Sequence, residues 1–194
     1  MVFRDKSRSY NTDISFSKRE PDGDNIQRDI CNSCGFIHYE NPKIVAGVVA
    51  SWEQKILMCR RNIEPRKGFW TLPAGFMEQR ETTQQAAARE ANEEANADIE
   101  IGVLLGIYNI ARISQVQIFY RGVLKTPNIS PGPESMEVGL FDWDDIPWDE
   151  LAFPSVYWAL QYYKETRALH YFPPAQEPDD WFQTPGFENL TGEA

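Results

Sequence analysis

The sequence predicts an α/β fold in which helices cover both faces of a mixed sheet. Two apolar, β-branched runs, residues 43–51 and 116–125, predict buried strands. Residues 82–96 lie between these runs and are rich in strong helix formers, which predicts a helix. A second helix is predicted at residues 155–169, where apolar side chains recur on one side. Strands on both sides of one helix, followed by another helix, fit an α/β/α sandwich.

Three further strands complete the predicted sheet, at residues 54–61, 99–110 and 137–143. The connection 126–135 carries three prolines, which predicts an irregular loop. Thr82 followed three residues later by Gln85 fits a capping box, so the first helix is expected to begin near Thr82.

The length of 194 residues predicts one domain with appendages. Residues 1–40 are predicted to form an N-terminal extension, and the first 28 of them are polar and expected to be loose. Residues 41–170 form the predicted main domain. Residues 171–194 are Pro-rich and acidic, which predicts a tail that is largely disordered unless it docks through Trp181 and Phe182.

Composition argues against a nucleic-acid-binding, membrane-spanning or secreted protein. The net charge of −10 argues against nucleic acid as a partner, because phosphates favour a basic surface. No apolar run is long enough for a membrane span, and no secretory signal is visible. The three cysteines, an odd number, argue against a disulfide framework and favour the reducing cytoplasm. Cys59 lies in a predicted strand and is expected to be a buried thiol.

Three carboxylates share one face of the first predicted helix. Glu90, Glu93 and Glu94 stand at positions i, i+3 and i+4, where like charges repel each other. A hard divalent cation, Mg²⁺ or Mn²⁺, neutralises such a face and prefers oxygen ligands. The alternative is an acidic helix face in solvent, but the spacing and the chemistry together favour a metal site.

The stretch from Gly75 to Asn96 resembles the Nudix box, G-x5-E-x7-R-E-U-x-E-E-x-G-U, in which U is a bulky apolar residue. The positions that match are Gly75, Glu81, Arg89, Glu90, Glu93 and Glu94. Ala91 departs from the first apolar position, and Asn96 and Ala97 stand where the final glycine and apolar residue are usual. Asn96 can adopt the left-handed conformation, so the helix end is expected to shift by one residue.

The resemblance implies a Nudix fold and a hydrolase. In such a site Glu90, Glu93 and Glu94 hold the metal, together with the backbone carbonyl of Ala74 or Gly75. Arg89 and Glu81 orient these ligands without binding the metal themselves. The catalytic residues are Glu93, Glu94 and Arg89. A carboxylate from a late loop is a recurrent feature of the family, as extra ligand or base. The candidates for it are Glu134 and Glu137, and the sequence does not separate them.

Substrate contacts are predicted on the strand and loop that precede the box. Arg60 and Arg61 suit phosphate geometry, although a surface ion pair is an equal alternative for each. Phe69 and Trp70 can stack on a ring, and a place in the core is at least as plausible. Gln115, in the connection between two predicted strands, is a further candidate.

Cys31 and Cys34 form half of a zinc ribbon, C-x2-C followed by Gly35. A structural zinc needs four ligands, and no second C-x2-C precedes this one. The segment resembles the N-terminal ribbon of some Nudix relatives after loss of its first knuckle. We therefore expect no zinc here, and completion of a site by a second subunit is the alternative.

Two segments, HYENPK at residues 38–43 and PGPES at 131–135, resemble the branch of ADP-ribose and FAD pyrophosphatases. This resemblance implies hydrolysis of a nucleoside diphosphate linked to another moiety, with release of AMP, by a cytoplasmic homodimer. Three alternatives stay open: a non-catalytic module that senses a nucleotide, a nucleoside triphosphate pyrophosphohydrolase, and a zinc-ribbon adaptor.

Overall fold

The computed structural model describes residues 14–187 and divides the chain into two units, Met1–Asn41 and Pro42–Ala194. The first 13 residues of the predicted loose extension and the last seven of the predicted tail therefore lie outside the described residues.

The N-terminal unit contains a small antiparallel sheet. Its strands are β1 (Phe16–Arg19), β2 (Arg28–Cys31) and β3 (Ile37–His38), in that order. Strand β1 falls in the segment predicted to be loose, so that prediction is wrong for these residues. The strand is mostly exposed and forms through its pairing with β2, and an exposed strand leaves no apolar alternation in the sequence.

The second unit is built on a mixed sheet, as predicted, but the sheet has seven strands where the sequence predicted five. Its strands are β4 (Lys43–Trp52), β5 (Lys55–Arg61), β6 (Trp70–Thr71), β7 (Ala74–Phe76), β8 (Ile99–Ile110), β9 (Gln115–Leu124) and β10 (Ser135–Phe141). The two short strands β6 and β7 were not predicted. The main order is β10-β5-β4-β9-β8, with β6 paired to β5 and β7 to β4. Strands β4 and β9 run parallel, whereas the other pairs are antiparallel.

One helix covers each face of this sheet, which confirms the predicted sandwich. Helix α1 (Thr83–Ala95) packs its buried alanines on one core cluster, and helix α2 (Pro154–Thr166) packs Val156 and Leu160 on the other. Neighbouring residues of β4 serve opposite faces: Val48 belongs to the α1 cluster and Val49 to the α2 cluster.

Both ends of α1 follow the sequence. The Thr82 hydroxyl accepts from the backbone N–H of Gln85, and the Gln85 side chain accepts from the Thr82 N–H, so the predicted capping box is present. Asn96 ends the helix in the left-handed conformation, with φ 48°, and its N–H donates back to Asn92.

The C-terminal segment is ordered as far as it is described. Ala175 forms an isolated bridge with Gly106, and its N–H and carbonyl both bond to β8. Trp181 packs against the α2 cluster, and Phe187 is buried within it. The segment therefore docks on the domain, through Trp181 as the sequence allowed and through Phe187, which it did not indicate.

Among residues 14–187, no helix combines the length and the apolar character needed to cross a membrane.

Candidate active site

The acidic face of α1 contains two buried carboxylates and one exposed one. Glu90 and Glu94 are buried, whereas the side chain of Glu93 is 57% exposed. The helix places all three on its last two turns, where α1 lies against β7 and the loop before β10. Helix geometry thus groups the three predicted ligands on one side of a cleft.

Arg89 holds two of these carboxylates from the side. Its Nη1 donates to Glu90 at 2.6 Å and to Glu93 at 2.9 Å. Its Nε and Nη2 donate to the two oxygens of Glu81 at 3.1 and 2.8 Å, and Nη2 also donates to the carbonyl of Phe76. The paired guanidinium lowers the pKa of Glu81, so Glu81 is a fixed anion that anchors Arg89.

Gly75 leaves room for Glu90. A Cβ on Gly75 would stand 2.4 Å from the carboxyl carbon of Glu90. The residue pairs with Ala46 of β4, so its backbone position is fixed by the sheet. Only glycine therefore allows the backbone of β7 and the Glu90 carboxylate to lie side by side.

Glu94 is the least compensated of the three acids. It is 6% exposed, and the one hydrogen bond that it receives within the described chain comes from the Ala74 N–H at 3.4 Å. Burial, together with the nearby charge of Glu90, raises the pKa of Glu94 to about 8. Burial likewise raises the pKa of Glu90. Loss of solvation is the main cause of both shifts, and a bound cation would favour the ionised form of both acids.

The donor set fits a hard divalent cation. Among residues 14–187, no three His, Cys, Asp or Glu side chains already converge as metal ligands, and Arg89 is hydrogen-bonded to Glu90 and Glu93. A cation would be held by the same carboxylates once they turn from Arg89, with Glu94 as the acid that Arg89 leaves unpaired. Three carboxylates beside backbone carbonyls are the ligands that Mg²⁺ and Mn²⁺ prefer.

The loop before β10 closes the end of α1. Ser130 N–H donates to the Ala95 carbonyl and Gly132 N–H to the Glu94 carbonyl, each at 3.0 Å. A Cβ on Gly132 would stand 1.7 Å from the Glu93 carbonyl oxygen, so the loop approaches the helix backbone directly. This contact sets Glu134 into the cleft.

The cleft has a volume of about 950 Å³, within the range of ligand pockets. Its lining includes the acidic face of α1, Ala74 and Gly75 of β7, Gln115 and Phe119 of β9, and Arg61 of β5. The structure thus brings together the predicted metal ligands, Arg89, Arg61, Gln115 and Glu134.

Four of the residues predicted to contact substrate or to act as the late acid lie outside the lining of this cleft. Arg60 donates to the Gly68 carbonyl and pairs with Glu137 at 3.5 Å, the surface ion pair that the sequence left open. Trp70 is buried against Phe141. The guanidinium carbon of Arg66 lies 3.8 Å from the centre of the Phe69 ring, in a cation–π contact. Glu137 is therefore bound to Arg60 outside the cleft, whereas Glu134 lines the cleft with the carboxylates of α1.

The lining also includes two residues that the sequence did not indicate, Phe153 and Ser155 at the start of α2. The guanidinium of Arg61 lies 5.1 Å from the centre of the Phe153 ring. The sequence showed a Pro-containing turn before a helix, and nothing in that pattern connects it with a cleft formed some 60 residues away in the chain.

In the N-terminal unit, Cys31 is buried and Cys34 exposed. Gly35 has φ +74° and its N–H donates to the Cys31 carbonyl, the turn that the C-x2-C-G spacing predicts. A hydrogen bond with Ser33 lowers the pKa of the Cys31 thiol to about 7. The absence of stoichiometric zinc remains a prediction, which elemental analysis of the purified protein tests.

Family models match both units. Residues 41–182 match the NUDIX domain, and residues 15–40 match the Nudix N-terminal zinc ribbon. A Nudix hydrolase from Nitrosomonas europaea, known by its crystal structure, is 45% identical with a TM-score of 0.78, over 83% of this chain and 92% of that one.

Two curated relatives match a smaller part of the chain. An ADP-ribose pyrophosphatase from Methanocaldococcus jannaschii is 29% identical over 119 residues, which are 59% of this chain and 69% of that protein. An 8-oxo-dGTP diphosphatase from Proteus vulgaris is 35% identical over 63 residues, 32% of this chain and 56% of that protein.

Proposed function

Because this chain belongs to the Nudix hydrolase family, we propose that it cleaves the diphosphate bond of a nucleoside diphosphate linked to a second moiety, with ADP-ribose as the favoured substrate and FAD as the next. The observation that carries the proposal is the buried, uncompensated Glu94 beside Glu90 and Glu93, on a cleft large enough for a dinucleotide-type ligand.

Glu90, Glu93 and Glu94 would hold Mg²⁺ or Mn²⁺, with the backbone carbonyl of Ala74 or Gly75. A bound cation supplies positive charge that screens the diphosphate and lowers the pKa of the attacking water. The protein's part is to keep the carboxylates grouped and ionised. Glu81 serves this end because it fixes the Arg89 guanidinium beside Glu90 and Glu93, where its positive charge favours the ionised form of Glu90.

Two residues of the cleft act on substrate and water in this proposal. Arg61 lines the same cleft as the acidic face of α1, and a planar guanidinium binds phosphate oxygens in pairs. Glu134 accepts the proton of the attacking water, because it lines the cleft whereas Glu137 is paired with Arg60.

Two further observations support a diphosphate with two organic ends. The cleft is lined by Phe119 and Phe153 as well as by the acidic face of α1, so a second ring system finds apolar surface on which to pack. The Methanocaldococcus relative, an ADP-ribose pyrophosphatase, matches over more of this chain than the Proteus 8-oxo-dGTP diphosphatase does.

The test is product analysis on a substrate panel. The purified full-length chain is incubated with ADP-ribose, FAD, NADH, diadenosine polyphosphates, dATP and 8-oxo-dGTP, each with Mg²⁺ and then Mn²⁺. We expect AMP and ribose 5-phosphate from ADP-ribose, with no product in EDTA. A higher kcat/KM for a triphosphate, with release of pyrophosphate, would replace the proposed substrate class and leave the hydrolase in place.

The non-catalytic sensing module is a further alternative, and the same panel tests it. The complete set of carboxylates counts against it, since a module that only binds has no need of three acids around an ion. Tight binding of ADP-ribose with no turnover in either metal would favour the sensor.

We also propose, on the strength of the family resemblance, that the enzyme works as a homodimer in the cytoplasm. Light scattering of the purified protein tests the first part: a mass of about twice 22.4 kDa is expected, and a mass of one chain contradicts it.

A further inference from the structure

We propose that the start of α2 is an anion subsite of this cleft, in which Ser155 donates to the substrate phosphate that lies away from the carboxylates. The inference rests on the proposed function for the identity of its ligand, a phosphate group of a nucleoside diphosphate. It assigns a phosphate-binding role to a helix on the opposite face of the sheet from α1.

The first observation is an uncapped helix start. Phe153 occupies the N-cap position and supplies no side-chain hydrogen bond, and Pro154 has no N–H to offer. The N–H of Val156 returns to the Phe153 carbonyl, and within residues 14–187 the N–H of Ser155 meets no acceptor. The start of a 13-residue helix therefore presents a free donor and the positive end of the helix dipole.

The second observation is the Ser155 side chain. The residue is 4% exposed and lines the cleft, yet its hydroxyl has no hydrogen-bond partner in the described part of the chain. At the other end of the same helix, the Thr166 hydroxyl donates to the Tyr162 carbonyl. The hydroxyl of a cleft-lining residue that has no partner in the described protein is free to donate to a ligand in the cleft.

Arg61 adds charge beside this helix start. Its Nε donates to the Pro65 carbonyl at 2.9 Å, and its guanidinium packs on Phe153. These two contacts hold the side chain in place, and its Nη atoms make no further hydrogen bond to residues 14–187. The positive charge of Arg61 also acts on Glu94, so Arg61 lies within electrostatic reach of the acidic face of α1.

These three donors select the class of ligand. The Ser155 hydroxyl, the Ser155 N–H and the Arg61 guanidinium all donate, and the last two bring positive charge. A phosphate offers several acceptor oxygens and negative charge, which suits helix starts and guanidinium groups alike. With one phosphate near the carboxylates, the second phosphate of a diphosphate is the group that reaches α2.

The test measures binding without turnover. Isothermal titration with ADP-ribose in EDTA compares the native chain with Ser155→Ala and with Thr166→Val, which removes a buried hydroxyl from the far end of the same helix. We expect Ser155→Ala to weaken binding about tenfold, since a hydrogen bond to a charged group is lost, and Thr166→Val to leave it unchanged. Unchanged affinity of Ser155→Ala, or no binding by the native chain, overturns the subsite.

A second variant keeps the proposal testable if Ser155→Ala does not fold, as judged by its thermal unfolding. Arg61→Gln lies on the cleft wall and should weaken ADP-ribose binding by at least as much. Failure of the subsite and failure of the proposed function are distinguishable. A chain that binds ADP-ribose through Ser155 but hydrolyses nothing on the panel keeps the subsite, and one that hydrolyses ADP-ribose with unchanged affinity in Ser155→Ala loses it.

Discussion

At the scale of residues, the site depends on which carboxylates Arg89 binds and which it leaves without a cationic hydrogen-bond partner. Arg89 is bound on one side by Glu81 through two hydrogen bonds and on the other by Glu90 and Glu93. Glu94 is left with a single weak contact from Ala74. The ion pair of Glu81 and Arg89 therefore serves as an anchor. Glu94 has the fewest hydrogen bonds of the three helix acids and is the one for which a bound cation would matter most.

Glu94→Gln is expected to lower kcat by at least ~10²-fold, because a charged group at a phosphoryl-transfer site is removed. The substitution keeps the shape of a side chain whose charge is already penalised by burial, so the unfolding temperature in EDTA should not fall. Steady-state kinetics and thermal unfolding measure both effects. Glu165→Gln, on the exposed side of α2, is the matched control and should change neither.

A second comparison separates the two late acids. Glu134→Gln should reduce kcat more than tenfold, because Glu134 lines the cleft and general-base catalysis contributes roughly 10²-fold or more. Glu137→Gln should reduce it less than about twofold, because an exposed ion pair contributes little. The reverse order of effects would show that Glu137, and not Glu134, is the functional acid.

At the scale of elements, α1 could be predicted almost completely and the cleft only in part. The capping box, the alanine face and the three acids are local features, and their consequences follow from helix geometry alone. Arg61, Phe153 and Ser155 meet only because β5 and α2 come together in space. Strand β1 was missed for a related reason, since an exposed strand forms by pairing and not by its own pattern.

The contact between α1 and the loop before β10 gives a prediction at this scale. In Gly132→Ala the new methyl group meets the carbonyl of Glu93, a backbone atom that cannot rotate away. The loop must shift, with loss of its two hydrogen bonds to α1, and we expect a destabilisation of roughly 2 kcal/mol. Because Glu134 moves with the loop, kcat should also fall.

The matched control for this prediction is Ser130→Ala in the same loop, which keeps both backbone hydrogen bonds. Denaturant unfolding and steady-state kinetics of the two variants are compared with the native chain. Native stability and rate in Gly132→Ala would show that the loop does not need its close approach to the helix.

At the scale of the whole molecule, the segment after α2 completes the core of the second unit. It adds a bridge to β8 at Ala175 and a hydrogen bond from Trp158 Nε1 to the Thr184 hydroxyl at 2.7 Å. The composition of this segment, acidic and rich in proline, predicted a tail, because composition does not reveal that single aromatic residues find a place in a distant core. A few anchors thus order a segment that has no regular structure over most of its length.

Phe187 and Phe182 test this role of the C-terminal segment as a matched pair. Phe187 is 5% exposed within the core cluster beneath α2, whereas Phe182 is 41% exposed. Phe187→Ala should cost about 3 kcal/mol of unfolding free energy, the low end for a buried phenylalanine, and lower the unfolding temperature by at least about 6 °C. Phe182→Ala should cost less than about 1 kcal/mol, since exposed apolar side chains bury little area. Denaturant unfolding measures both values. Equal and small effects would show that the chain beyond α2 packs on the core without stabilising it, whereas the expected difference makes this segment part of the folding unit that supports the cleft.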